Sequence, residues 1–234
     1  MGALKEAPPA GRRLILASAS PRRREFFRAL GLSFRTAVVE VDERPPAREV
    51  PEDLVRRLSL AKARAAALTC REPTLVVGAD TIVVFEGRVL GKPADAADVR
   101  RMLRAMRGRM HRVCSAVSFV DTAAGREAAW LAETRVRMRR YSDQEIEDYL
   151  ATGAPVDKAG GYAIQHPGFR PVESVVGCYA NVMGLPLCLL AHGLEQFDFP
   201  LEADVPAACL AFTGRPCRLV DEVPRACRPG TRVH

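Results

Sequence analysis

The stretch LILASASPRRREFF, Leu14–Phe27, decides how the chain folds around its most distinctive residues. Leu14–Ser18 is a short apolar run of the length expected for a buried strand. Ser20 and Pro21 then mark a helix start, with serine at the N-cap and proline at the first helical position. The pattern predicts a helix from Pro21 to about Leu30, stopped by Gly31, with Phe26, Phe27 and Leu30 turned toward a sheet. Three cations, Arg22, Arg23 and Arg24, fall in its first turn. A helix N-terminus carries roughly half a positive charge, so each cation there forgoes about 0.3–1 kcal/mol relative to an anion. Strand, small-residue turn and helix tip form a general anion-binding arrangement. Ser18 and Ser20 add hydroxyls, while Arg22 and Arg23 add forked donors suited to phosphate oxygens. The plainer alternative is an ordinary helix start whose arginines splay into water. The spacing GxxxxGK[ST] is absent, so this is not a Walker loop.

Downstream, SFRTAVVEV reads as a second strand ending near Asp42 and Glu43, and Pro51–Leu68 as an amphipathic helix with Leu54, Leu58, Ala61 and Ala65 on one face. Thr74–Pro93 reads as two strands, with a tight turn at Glu86-Gly87. A helix is predicted over Asp95–Met106, and strands over Val113–Val120 and Ala128–Met138. Ser142 with Glu145 forms a capping box for a helix reaching Leu150. GGYAIQ and ANVMGL read as turns and strands, and LCLLAHGLEQF as a last helix. Strands alternating with helices place the chain in the α/β class. The expected division is a flexible leader over 1–11, one folded domain over 12–199, and a loosely ordered Pro-, Arg- and Cys-rich tail over 200–234.

The 234 residues suffice for one large domain, and 48% hydrophobic content is ordinary for a globular chain. A formal charge of +7 suits an anionic ligand, although scattered arginines on a solvated surface account for it equally. No run of about 18 apolar residues exists, which argues against a membrane partner. MGALKEAPPAGRR lacks an apolar signal region. Cys70, Cys114, Cys178 and Cys188 lie in or beside apolar runs and read as packed, reduced thiols. Cys209, Cys217 and Cys227 have no CxxC spacing, so no metal site is expected there. A reducing cytoplasm is the simplest setting for seven cysteines without a pattern.

Three further features carry chemistry. In VVGADT an aspartate, Asp80, interrupts two apolar runs; burying it is costly unless it is paired or binds a cation. It reads either as a strand-end carboxylate bonded to turn amides or as a metal ligand or general base. Glu43, Lys62 in LAKARA and Lys92 in GKP each read alone as surface residues. Together, two carboxylates can hold one Mg²⁺ while lysines neutralise phosphate oxygens. DKAGGYAIQ, Asp157–Gln165, reads either as a hairpin or as a base-contacting loop, since the Gln165 amide offers both a donor and an acceptor to a pyrimidine edge.

LILASASPRRREFF, VDE, LAKARA, VVGADTIV, GKP, DKAGGYAIQ and VMGLP follow one another in this order, and over Arg13–Phe199 the chain resembles the Maf family of nucleotide pyrophosphatases. The resemblance implies an α/β fold related to the inosine triphosphate pyrophosphatases: a mixed twisted sheet flanked by helices, with a central cleft. It implies cleavage of nucleoside triphosphates to monophosphate and pyrophosphate with a divalent metal, Mg²⁺ or Mn²⁺, and members are often homodimers. By position, Asp80 matches the proton acceptor. Ser18, Arg22, Arg23, Glu43, Lys62 and Lys92 match other active-site positions, and Arg23, Thr81 and Gln165 match positions tied to substrate choice. The form DKAGGYAIQ resembles the branch acting on dTTP and UTP rather than the one acting on 7-methyl-GTP. His166 stands where that branch usually has glycine, and the tail beyond Pro200 has no counterpart.

The expected mechanism is hydrolysis at the α-phosphorus. Asp80 and Glu43 hold the metal, Asp80 also takes the proton of the attacking water, and whether it is base, ligand or both stays open. Arg22, Arg23, Ser18 and Ser20 hold phosphates, while Lys62 and Lys92 stabilise growing charge. Two rivals are a nucleic-acid-binding module and a non-catalytic regulator of division, a role associated with the family. Against a nucleic-acid partner, aromatics are only 6% and no stacking motif is present.

Overall fold

The computed structural model describes residues 12–44, 49–153, 158–199 and 201–217. The leader 1–11 and residues 218–234 lie outside them, as does Asp157. β1 (Arg13–Ala17) runs into α1 (Pro21–Ala29), as the opening stretch dictates. The Ser20 hydroxyl caps α1 by accepting from the Arg23 amide. Phe26 and Phe27 are fully buried, each worth about 1.5–3 kcal/mol of apolar burial. There follow β2 (Arg35–Thr36), α2 (Pro51–Ala67), β3 (Thr74–Phe85), β4 (Arg88–Leu90), α3 (Ala96–Met106), β5 (Met110–Asp121), β6 (Arg126–Met138), α4 (Asp143–Ala151), β7 (Val172–Val176), α5 (Tyr179–Val182), α6 (Leu187–Gln196) and α7 (Val205–Thr213).

Among the described residues the strands form one mixed sheet in the order β2-β1-β3-β5-β6-β7, with β4 hairpinned onto β3. β1 pairs parallel with β2 and β3, and the other pairs are antiparallel. The hairpin turns at Glu86 and Gly87, both at positive φ, as a two-residue turn requires. β3 is buried on both faces, which is why it reads as a near-continuous apolar run. Leu75, Val77, Ala79, Val83 and Phe85 join the large cluster that also holds Phe26, Phe27 and Leu194. Val76, Ile82 and Val84 join the clusters on the α2 side, with Val55 and Ala63.

Several expectations are corrected. SFRTAVVEV forms only the two-residue β2: Ala37 N–H still reaches Leu16 O, but β1 ends at Ala17, so 38–44 has no ladder left to join and Val38 is exposed. On α2, Leu54 and Leu58 are buried as expected, but Ala63 and Ala66 rather than Ala61 and Ala65 continue the covered face. GGYAIQ contains a 3-10 turn over Ala159–Gly161 rather than a hairpin. ANVMGL gives α5, and Val172–Val176 is an edge strand the sequence pattern did not reveal. LCLLAHGLEQF is α6, but it is not the last helix. Over 201–217 the expected loose tail is replaced by α7, capped by Asp204 and seated by its buried Cys209 and by Phe212, whose ring lies 4.3 Å from Phe26. Short apolar residues scattered among prolines hid that packing face. No described helix is long and apolar enough to cross a membrane.

Candidate active site

The two-residue period of β3 sorts the site. Gly78 and Asp80 face α2, and Thr81 faces the opposite way. At Gly78 the helix comes so close that a Cβ would sit 2.1 Å from Ser59 O, so only glycine lets α2 lie against the strand here. The contact is fastened by Ser59 Oγ and Ser118 Oγ, 2.6 Å apart and buried. Lys62 stands one turn along α2 from Ser59. Its Nζ donates to Asp80 Oδ1 at 2.6 Å and to Glu43 Oε1 at 2.9 Å. Burial alone would lower the Lys62 pKa, but the Asp80 and Glu43 carboxylates outweigh it and hold it above its ordinary value. The bond from Lys62 pulls Glu43 down, and the charge of Lys92 adds to the effect. Glu43 reaches this cluster from an extended loop, not from a strand end as expected.

The edge of β3 is open here. β1 pairs with it only as far as Gly78, and β4 begins pairing at Val83. Arg23 fills the gap. Its Nη1 donates to Ala79 O at 2.7 Å and to Ser18 Oγ at 3.3 Å, its Nη2 to Thr81 Oγ1 at 3.1 Å, and its Nε to Gly184 O at 3.0 Å. Desolvation lowers the Arg23 pKa, with Asp80 opposing. Most of the Arg23 donors are engaged by protein, and the side chain ties α1, β3 and the Gly184 turn together. Arg22 makes no such bond among the described residues and is half-buried, its charge extending to Tyr179. Ser18 Oγ accepts from the Ser20 amide, 3.2 Å, as well as from Arg23, so the small-residue turn is wired before any ligand arrives.

The Thr81 hydroxyl meets Ser115 Oγ at 2.8 Å and Gly184 O at 3.2 Å. Ser115 reaches Asn181 O, and the buried Asn181 amide donates to Val113 O and Thr134 Oγ1. Ser115 and Asn181 were missed in the sequence. A fully buried asparagine inside an apolar run was the one available signal.

Lys92 lies exposed in its GKP turn, which is bound to the next segment by Gly160 N–H to Gly91 O at 3.0 Å. That segment presents Gln165 exposed. It is pinned beneath by Tyr162, whose hydroxyl lies 2.7 Å from the buried His111 Nε2, and by Tyr149, whose hydroxyl accepts from the Ala163 amide at 2.9 Å. His166 plays a structural part, since its Nδ1 accepts from the Phe169 amide at 3.0 Å and closes a turn. Thus Asp80, Glu43 and Lys62 are joined, with Arg23, Thr81, Ser18 and Ser20 at their side, and the charge of the exposed Lys92 extends to Glu43. Gln165 is joined to them through the Gly91–Gly160 contact rather than directly.

A cation fits the first group. Two hard carboxylate oxygens already converge on one ammonium, and Mg²⁺ is commonly held by one or two protein carboxylates with phosphates and water. A second cluster, Glu52, Cys114 and Glu133, fits less well. Arg112 Nη1 sits between its carboxylates at 2.6 and 2.7 Å and neutralises them, and burial pushes the Cys114 thiol up to about 11.

Paired carboxylates on a lysine thus stand beside an arginine- and serine-rich helix tip, at a break in the edge of an α/β sheet. Residues 13–197 match the family described as Maf-like protein, and the chain belongs to the Maf family. Among similar relatives, the dTTP/UTP pyrophosphatase of Thermomicrobium roseum is 46% identical over 84% of this chain and 91% of its own. Those of Pelotomaculum thermopropionicum (44%; 80% and 97%) and Symbiobacterium thermophilum (46%; 80% and 95%) are comparably close. A nucleoside-triphosphatase (dITP/XTP pyrophosphatase) structure from Mycobacterium abscessus overlaps at a TM-score of 0.35 and 20% identity, covering 55% of this chain and 75% of that one. That likeness is too slight to carry an argument.

Proposed function

We propose that this protein hydrolyses dTTP and UTP to the monophosphate and pyrophosphate. The observation that carries the reading is the convergence of Asp80 and Glu43 on Lys62 at the open edge of β3, in a chain whose relatives bear that activity in their names. Water adds to the α-phosphorus, the bond to the bridging oxygen breaks, and pyrophosphate leaves. Asp80 accepts the proton of the attacking water. Lys62 aligns Asp80 and Glu43 and favours the ionised form of Glu43. Arg22, with the Ser18–Ser20 turn, faces the phosphate chain, and Lys92 offsets charge that grows on it. Arg23 and Thr81 fix the wall against which the nucleotide lies. Gln165 reads the pyrimidine edge, where a mismatched base leaves polar groups unpaired and is rejected. A divalent metal, Mg²⁺ or Mn²⁺, would be held by Asp80 and Glu43 and would supply charge neutralisation to the phosphates.

The test is release of pyrophosphate from a panel of common and modified nucleoside triphosphates with Mg²⁺ or Mn²⁺. The expected result is turnover of dTTP and UTP above all others. Preference for 7-methyl-GTP would overturn the role of Gln165, and silence across the panel would overturn the activity. A homodimer in a cytoplasmic setting, with no membrane or nucleic-acid partner, completes this reading.

A further inference from the structure

The two carboxylates of the site share one partner. Lys62 Nζ donates to Asp80 Oδ1 at 2.6 Å and to Glu43 Oε1 at 2.9 Å. Among the described residues no other group donates to either carboxylate, so each keeps one oxygen free of protein donors. The side chains of Lys62 and Asp80 are withdrawn from water, 16% and 14% exposed, whereas Glu43 is 62% exposed. An ammonium that leaves water must find acceptors for its three donors. The two acceptors Lys62 finds are hard carboxylate oxygens, the same atoms that suit a divalent cation. The ammonium therefore sits where that cation would go.

The surroundings add positive charge. Arg23 Nη1 is bound to Ala79 O, one residue before Asp80, and the charge of Lys92 extends to Glu43. Lys62, Arg23 and Lys92 thus face only Asp80 and Glu43, a balance that repels a bare divalent ion.

We propose that Lys62 is a placeholder: in the free enzyme it holds the cation position between Asp80 and Glu43, and a divalent metal is admitted only together with the nucleotide. This rests on the proposed role of Asp80 and Glu43 as the carboxylates that hold the metal. Mg²⁺ gives up its water reluctantly, and carboxylates already neutralised by a lysine offer it little in exchange. A triphosphate alters both sides of that balance. It brings anions along with the metal, and it gives the Lys62 ammonium phosphate oxygens to bond instead. Glu43, exposed on its loop, is the partner whose bond parts at the lower cost. The free enzyme is thereby kept from holding an idle metal.

The test is titration of the full-length, metal-free chain with Mn²⁺ alone, without nucleotide, following free Mn²⁺ by electron paramagnetic resonance. Lys62→Met should bind at least about tenfold more tightly than the parent, because the carboxylates lose their internal counter-ion. At one fixed Mn²⁺ concentration the melting temperature of Lys62→Met should rise and that of the parent should stay where it is. Lys62→Gln, which keeps a donor to one carboxylate, should show the same tightening and serves if the methionine variant does not fold. In the double variant Lys62→Met/Asp80→Asn the gain should vanish. Equal affinity in the parent and the Lys62 variants overturns the proposal, as does weaker binding in those variants. So does tight binding that survives Asp80→Asn, which would put the metal elsewhere. None of these readouts uses turnover, so their failure is distinct from a failure of the pyrophosphatase activity, which the nucleotide panel decides separately.

Discussion

The region around Asp80 and the segment carrying Gln165 are held in place by opposite means. Around Asp80 the polar groups hold each other: Lys62 joins two carboxylates, and Arg23 satisfies four acceptors from three parts of the chain. Along 158–166 the holding is done from underneath, by the rings of Tyr149, Tyr162 and His111, while Gln165 stands free in solvent. In the first region a functional side chain is also a structural one, so chemistry and stability should fail together. In the second they are separable, which suits the proposed reading of a base by Gln165.

The largest effect should follow Asp80→Asn, which keeps the shape and removes the proposed proton acceptor. Turnover of dTTP, followed by pyrophosphate release, should drop at least about a thousandfold in a chain that still folds but melts lower, because Lys62 loses a charged partner. Near-normal rates would end the assignment. Next comes a pH effect seated under the second region. Burial lowers the His111 pKa to about 4, so between roughly pH 6.5 and 4 the unfolded chain binds a proton that the folded one refuses. Stability is therefore fully present above the unfolded value and is lost as pH falls through that window, by up to about 3 kcal/mol. In thermal melts from pH 7 to 4.5, His111→Phe should flatten this part of the decline.

Arg23→Lys keeps the charge but cannot serve four acceptors. It should cost about 2 kcal/mol of stability and lower kcat/KM for dTTP together. If activity fell with no change in melting temperature, Arg23 would be a ligand-binding group and not a strut. Gln165→Ala should do the reverse: stability within about 0.5 kcal/mol of the parent, and a kcat/KM for dTTP reduced roughly tenfold, with weaker discrimination between bases. A large drop in melting temperature for that variant would erase the contrast between the two regions.

Local rules made much of this molecule legible. β1, α1 and the Ser20 cap follow from LILASASPRRREFF, the capping box of α4 from SDQE, and the hairpin from Glu86-Gly87, because caps and tight turns depend on residues a few positions apart. The apolar run of β3 was also present in the letters, yet it did not say which neighbour each face would meet. The tertiary structure decided that Asp80 would find Lys62, since that depends on Gly78 admitting α2 to the strand. It likewise decided that Arg23 would be bound by protein and that α7 would find Phe26. Residue types and local conformation are properties of a short window of chain. Which donor is consumed and which remains available depends on groups delivered from more than a hundred residues away, as Gly184 is to Arg23, and only the packed sheet and helices bring them within bonding distance.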